Sequence, residues 1–204
     1  MMKQSLGNAV FLVFEGLDGT GKTSCAKATA ELLGAHYMTT PTQALRSYRD
    51  KIIASFNGNQ VAAQMFYLAT VLAASDEVKS HLAAGQSVVL DRYFLSTQVY
   101  AEFRGSMLDV DEAVGKLLLP AHWTVFLEAP LSVRQTRTLA RGTTAADSET
   151  LTAKANAELL CGYERRAHHP ITGRWLRVDS STAGIHEIAR LISARIGSQE
   201  DAVV

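Results

Sequence analysis

Residues 9–24 read AVFLVFEGLDGTGKTS, and the order of residue types in that stretch decides the fold class. The first seven, AVFLVFE, are apolar up to Glu15, the pattern of a β-strand buried on both faces. The loop after Glu15 has almost no bulk: Gly16-Leu17-Asp18-Gly19-Thr20-Gly21-Lys22-Thr23 fits the spacing G-x-x-x-x-G-K-[ST]. Glycines let the backbone curl until successive N–H groups point inward at an anion, and a helix beginning directly after the loop adds its positive end. KTSCAKATAELLG (22–34) supplies that helix, with Gly34 placed to stop it. The expected polyphosphate cradle is therefore Gly16, Asp18, Gly19, Thr20, Gly21, Lys22, Thr23 and Ser24. Within it Lys22 reaches the β- and γ-phosphates and the Thr23 hydroxyl meets a magnesium ion. A glycine turn that merely joins a strand to a helix would leave Lys22 and Thr23 unexplained.

Outward from the loop, runs rich in Val, Ile, Leu and Phe alternate with helical stretches. AHYMTT (35–40), SVVLD (87–91), WTVFLE (123–128) and RWLRVD (174–179) read as further strands. Helices are expected over 43–57, 59–85, 94–104, 109–119, 132–142, 148–168 and 185–196, with TTAAD (143–147) a loop and the tail from Gly197 frayed. Such alternation implies a parallel sheet covered on both faces, joined by right-handed crossovers. Ligands in such sheets bind beyond the carboxyl ends of the strands, here Glu15, Thr39–Thr40, Asp91–Arg92, Glu128 and Asp179.

The length of 204 residues suits one domain, 1–204. Twenty basic residues balance twenty acidic ones, so the charge points to no nucleic acid and no membrane as partner, and any anion must be met by local groups. Cys25 and Cys161 have no C-x-x-C spacing, which suits a reducing cytoplasm. The short apolar stretch near the N-terminus reads as the first strand rather than a signal peptide, and no segment approaches a membrane span. His168 and His169 are adjacent and cannot face one metal as an i, i+4 pair would.

LDRYFLSTQVYAE (90–102) ends the third strand. Asp91 there is a carboxylate to hold a metal beside Thr23, and Arg92 a rigid, permanently charged fork for a phosphate that must be positioned. The alternative is an ion pair at a strand end. Beyond the fourth strand, RQTRTLARG sets Arg134, Arg137 and Arg141 at i, i+3 and i+7 on one helical face. That face is either a solvated basic stripe or part of a lid that closes over phosphates and excludes water.

With FEGLDGTGKTS, DRYFLSTQVY, TVFLEAP and NAELLCGYERRA (156–167) in this order and at these separations, the chain resembles the thymidylate kinase family of nucleoside monophosphate kinases. The resemblance implies an α/β, three-layer P-loop kinase fold: a five-stranded parallel sheet with helices on both faces and a small lid at about 137–150. It implies phosphoryl transfer from magnesium-bound ATP to a nucleoside monophosphate, as from dTMP to dTDP in nucleotide biosynthesis, by a homodimer. Lys22, Arg92, Arg137 and Arg141 would be catalytic, with Arg92 holding the acceptor phosphate and Thr23 and Asp91 the metal. Asp18 would lie near the acceptor sugar's 3′-hydroxyl, Phe66 would stack on the base and Tyr100 pack against the sugar, although plain helix core explains either aromatic equally well. Apart from the resemblance, Arg46 and Arg49 on the helix after the second strand would each either take up phosphate binding or lie on the surface.

The chain also departs from the family's pattern. MTTP (38–41) stands where the family carries TREP, so Thr39 and Thr40 replace an arginine and a glutamate. Thr70 stands where an arginine helps read thymine, Ala101 and Glu102 follow Tyr100 in place of a glutamine, and Leu139 occupies a lid position often held by arginine. Gln64, Gln98, Glu102 and Arg104 are near enough in sequence to line an altered base pocket. Two other readings stay open: a deoxynucleoside kinase, or a nucleotide-binding protein without kinase activity.

Overall fold

A computed structural model describes residues 9–143 and 145–200. Its sheet holds β1 (Phe11–Gly16), β2 (His36–Thr39), β3 (Val88–Asp91), β4 (Trp123–Glu128) and β5 (Arg174–Asp179), in the order β2-β3-β1-β4-β5. Every pairing is parallel, as the strand–helix alternation implies. The helices are α1 (Lys22–Leu33), α2 (Gln43–Ser55), α3 (Gln60–Ala83), α4 (Phe94–Phe103), α5 (Asp111–Gly115), α6 (Leu131–Arg141), α7 (Ala145–Thr150), α8 (Ala153–Arg166) and α9 (Ile185–Glu200).

The unbroken apolar run of β1 is explained by its place at the centre. Phe11 and Val13 face one core, shared with Leu68, Val71, Phe94, Phe126, Leu159 and Tyr163 from the α3, α4 and α8 side. Leu12 and Phe14 face the other, with Cys25, Ala26, Ala30, Ile188, Ile192 and Ile196 of α1 and α9. Side chains alternate across a strand, so only a strand covered on both faces needs apolar residues at every position. Each such side chain contributes about 1.5–3 kcal/mol when fully buried.

Four boundaries differ from those read in the sequence. The helix expected over 109–119 is only Asp111–Gly115. Gly115 presses on the His169 ring, and the Leu119 N–H goes to Ser75 Oγ (2.9 Å) instead of a helix carbonyl, one residue before Pro120. The helix expected over 148–168 is split: Thr152 is extended and caps α8, its Oγ1 accepting from the Ala155 N–H at 3.1 Å. The loop expected at 143–147 becomes helical from Ala145, although Thr144 lies outside the described residues. Six residues are too few to hold a helix by propensity, so α7 depends on its contacts with the site. Finally α9 runs through Gly197 to Glu200; the rest of the expected frayed tail lies outside the described residues.

In the β1–β3–β4 register Phe14 lies opposite Asp91 and Gly16 opposite Leu127. The chain leaves β1 at Gly16 with φ 137, and a Cβ there would collide with the Leu127 carbonyl oxygen. Gly16→Ala should therefore cost about 2–4 kcal/mol, from a disfavoured φ and a backbone clash together. Urea unfolding checks this, with a lower midpoint and an unchanged slope expected.

Candidate active site

The glycine-rich loop crosses from β1 to α1 with Gly19 and Gly21 both at positive φ. Gly19 lies against α6, where a Cβ would come within 2.8 Å of the Arg134 carbonyl oxygen. The Lys22 ammonium folds back on the Leu17 carbonyl at 2.7 Å, and the Thr20 hydroxyl donates to the same oxygen at 2.9 Å. Lys22 and Thr20 are buried, whereas Thr23 and Ser24 are exposed at the start of α1. Lys22 is thus sequestered beneath the loop rather than solvated.

The end of β3 meets this loop twice. Thr23 Oγ1 donates to Asp91 Oδ2 at 2.5 Å, with the Tyr37 hydroxyl on the same oxygen at 3.3 Å. Asp91 Oδ1 is buried and has no hydrogen-bond partner among the described residues. The next residue, Arg92, has a φ of 70, uncommon for a side chain with a Cβ. Its backbone is gripped from both sides: the N–H donates to Phe14 O at 3.0 Å and its carbonyl accepts from Thr40 Oγ1 at 2.9 Å. The guanidinium lies 2.5 Å from Asp18 Oδ1 in the loop and 5.2 Å from the centroid of the Tyr100 ring. Asp18 Oδ2 accepts from Tyr100 at 2.9 Å and from Thr150 of α7 at 3.1 Å.

Glu15, expected from the sequence only to lie among the strand ends near a ligand, has a positioning role that the sequence reading did not assign. It is fully buried, and its Oε1 accepts the N–H groups of Tyr93 (3.0 Å) and Ser96 (3.2 Å), its Oε2 the hydroxyls of Ser96 and Tyr163. It therefore anchors the start of α4 and with it the backbone that presents Arg92. The only sequence signal was a charge closing an otherwise apolar strand.

These burials shift the charges strongly. Desolvation raises the Glu15 carboxyl above the usual range, with Ser96 and Arg92 offsetting part of it. Desolvation also acts to raise Asp18, but the charges of Arg92 and Lys22 and the bonds from Tyr100 and Thr150 outweigh it and hold the group well below the usual range. Burial, helped by the Arg92 charge, lowers Lys22 to about 7 against the pull of Asp18, Asp91 and Glu15. The Arg92 guanidinium, although desolvated, is held charged chiefly by Asp18.

The three arginines of α6 part company. Arg134 is buried, donating to the Asp18 carbonyl at 3.2 Å and to Asn156 at 2.8 Å, so it braces the loop from behind. Arg137 donates to the Ser180 carbonyl at 2.6 Å, and Ser180 Oγ in turn donates to the Thr20 carbonyl at 2.7 Å. Arg141, more than half exposed, pairs with Asp147 of α7 at 2.5 Å. They do not form one stripe over the phosphates in this conformation. A spacing of i, i+3, i+7 places residues on one face but leaves open which neighbour each long side chain meets.

On the other flank, Arg46 donates to Thr39 Oγ1 at 2.8 Å, at the carboxyl end of β2, while Arg49 turns to its neighbour Asp50. Phe66 is half-buried on α3 with its ring edge-on to Tyr67, 5.3 Å between centroids. Thr70 is buried and bonds back to the Tyr67 carbonyl at 2.7 Å. Gln64 Nε2 donates to Gln98 Oε1 at 2.8 Å and Ser106 donates to Gln64 at 2.5 Å, tying α3 to α4, and Gln98 Nε2 is a buried donor without a partner among the described residues. Glu102 faces away, to Arg165 and Arg166 of α8, and Arg104 pairs with Glu149 of α7.

The family model described as thymidylate kinase matches residues 14–192. A probable thymidylate kinase of Staphylothermus marinus is 29% identical over 136 residues, 61% of this chain and 65% of that protein. A thymidylate kinase of Glaesserella parasuis is 27% identical over 146 residues, 65% of this chain and 70% of that one. A probable thymidylate kinase of Methanococcus vannielii is 36% identical over 97 residues, 47% of this chain and 48% of its own length. Among solved structures, the thymidylate kinase from Candida albicans shares the fold with a TM-score of 0.71, covering 95% of this chain and 93% of that one at 16% identity.

Lys22 makes a stability prediction. Its unfolded form holds a proton up to about pH 10.5 and its folded form only to about 7, so between those values the unfolded state binds more protons and stability rises with pH. Below that window the cost of the buried charge is constant. Lys22→Met should therefore melt above the parent near neutral pH, with the difference narrowing as pH rises toward about 9. A constant difference across thermal melts would contradict the burial of this ammonium.

Proposed function

The chain belongs to the thymidylate kinase family, and we propose that it transfers the terminal phosphoryl group of ATP to a nucleoside monophosphate through a base pocket less selective for thymine. The observation that carries this reading is the double latch between β3 and the loop: Asp91 on Thr23, Arg92 on Asp18. A metal-holding carboxylate and a phosphate-positioning arginine thus flank the segment that cradles a polyphosphate.

Magnesium suits the first latch. Asp91 and Thr23 offer hard oxygen donors, and Asp91 Oδ1, buried and without a partner among the described residues, is an acceptor suited to a cation. Held by Asp91 and Thr23, a magnesium ion would supply positive charge to offset that of the phosphates. The rest is positioning and electrostatics. The loop amides and Lys22 bind the β- and γ-phosphates, with Lys22 exchanging the Leu17 carbonyl for phosphate oxygen. Anionic phosphate beside a group poised at about 7 keeps it protonated. Arg92 takes the acceptor phosphate and so gives up part of its bond to Asp18. Tyr100 and Thr150 remain on that carboxylate, which stays satisfied near the acceptor sugar.

The lid comprises the end of α6 and α7, about 137–150, within a single domain. Its arginine free to move is Arg141, which exchanges Asp147 for phosphate on closure; Arg137 stays on the donor side with Ser180. Arg46, bonded at the end of β2, is better placed than Arg49 for the acceptor phosphate. Phe66 stacks on the base. Thr70, too short to reach across and already bonded to its own helix, supplies no bidentate contact, and a lost base-reading arginine removes discrimination rather than catalysis. No helix among the described residues is long and apolar enough to cross a membrane. The exposed Val61 and Met65 of α3 suit the homodimer expected of the family, acting in cytoplasmic nucleotide synthesis.

ADP release measured with a panel of monophosphates tests this reading. Turnover is expected with dTMP and at least one other pyrimidine monophosphate, within about 100-fold in kcat/KM. Thr70→Arg should widen that ratio. Arg92→Ala and Lys22→Met should each lower kcat/KM by about 10²–10³-fold, and Arg92→Lys should not restore it. Turnover with nucleosides alone would make the protein a nucleoside kinase, and none with any acceptor would make it a nucleotide binder.

A further inference from the structure

At the amino ends of the strands, opposite the phosphate loop, lies a second cluster of chemistry. His36 is the first residue of β2, and Glu77 and His81 lie one turn apart near the end of α3. One ligand atom from each lies within 4.8 Å of the other two. The imidazoles of His36 and His81 stack with 4.1 Å between centroids and 25° between planes. His81 Nε2 is 4.0 Å from Glu77 Oε1. We propose that His36, Glu77 and His81 form a binding site for a late first-row divalent metal such as zinc, separate from the nucleotide site.

The backbone builds this arrangement. Helix α3 stops in a left-handed turn at Gly85, with the Gly85 N–H on Leu82 O (2.9 Å) and the Gln86 N–H on His81 O (2.9 Å). Ser87 then accepts the His36 N–H at 2.8 Å and Val88 pairs with His36 in the sheet. The stop signal of α3 and the first rung of β2–β3 therefore fix the two histidines side by side.

The same turn orients His81. Gln86 Oε1 sits 2.7 Å from His81 Nδ1. An amide oxygen can only accept, so Nδ1 carries the proton and the lone pair of Nε2 is left facing Glu77. An outer partner that fixes the tautomer and aims the second nitrogen is the usual support of a metal-bound histidine. Charge favours a cation here too. The site lies over the last turn of α3, where the helix presents its negative end, and Lys79, the neighbouring ammonium, is engaged by Asp76 at 2.9 Å. Two imidazoles and one carboxylate match zinc, nickel and copper rather than magnesium. The ligand atoms of a tetrahedral set stand roughly 3.3 Å apart, so the two imidazoles would rotate out of their stack to aim both nitrogens at one ion. A bound ion would clamp the start of β2 to the end of α3.

The test uses the full chain without a histidine tag, titrated calorimetrically with zinc chloride and spectroscopically with cobalt(II) chloride, magnesium being the control metal. One zinc per chain is expected at this site, with nitrogen-ligand d–d bands for cobalt and a raised melting temperature. His36→Asn and His81→Asn should abolish these effects. Glu77→Gln, at a half-exposed position that does not endanger folding, should weaken binding, and Gln86→Ala should weaken it about tenfold. Absence of binding up to millimolar zinc, or equal binding by folded His81→Asn and Glu77→Gln, would overturn the proposal. Neither result would bear on kinase turnover, which is measured separately with magnesium.

Discussion

The structure turns on one strand register. With Phe14 opposite Asp91, the last residues of β1 begin the glycine-rich loop and also hold the exit of β3. Phe14 O takes the Arg92 N–H, and Glu15 takes those of Tyr93 and Ser96. A slip by one residue would turn Phe14 and Glu15 to the opposite faces and release Arg92 from its left-handed conformation. The two apolar cores on either side of β1 forbid that slip, so packing far from the chemistry sets the chemistry's geometry.

Around this register, Glu15, Lys22 and Asp91 are buried, with Asp18 and Arg92 largely enclosed beside them. Burying charges costs stability unless each is paired, and such clusters are weak evidence for stability in themselves. The shifted acidities of Glu15, Asp18 and Lys22, and the cluster's place at the carboxyl end of a parallel sheet, instead mark this as the candidate ligand site. Among the described residues Lys22 is drawn to a loop carbonyl and Asp91 has one oxygen without a partner. A magnesium-bound polyphosphate is the ligand we propose to supply what both lack.

Much of this was legible in the sequence because it rests on local rules. The loop is contiguous and its glycines have a backbone reason. The strands announce themselves by apolar runs, and Asp91–Arg92 close one of them. What was not legible depends on long side chains and tertiary context. Arg134, Arg137 and Arg141 share a helical face yet end on Asp18, Ser180 and Asp147. Helix α7 is held by bonds that include those to Arg104, Arg141 and Asp18, not by propensity. Arg46 and Arg49 could not be told apart until the fold set one on Thr39 and the other on Asp50. The pairing of His36 with His81 spans 45 residues and follows from the sheet order, which no local pattern encodes.

The central claim is that the segment from Gly16 to Thr23, fixed by its neighbours on β3, is the seat of a magnesium-bound nucleoside triphosphate. A crystal structure with magnesium, a non-hydrolysable ATP analogue and dTMP tests it most directly. Expected are the β- and γ-phosphates against the loop amides, the metal between Thr23 and Asp91, and the acceptor phosphate on Arg92. Nucleotide bound elsewhere, or a loop that keeps Lys22 on Leu17 and leaves the phosphates in solvent, would contradict it.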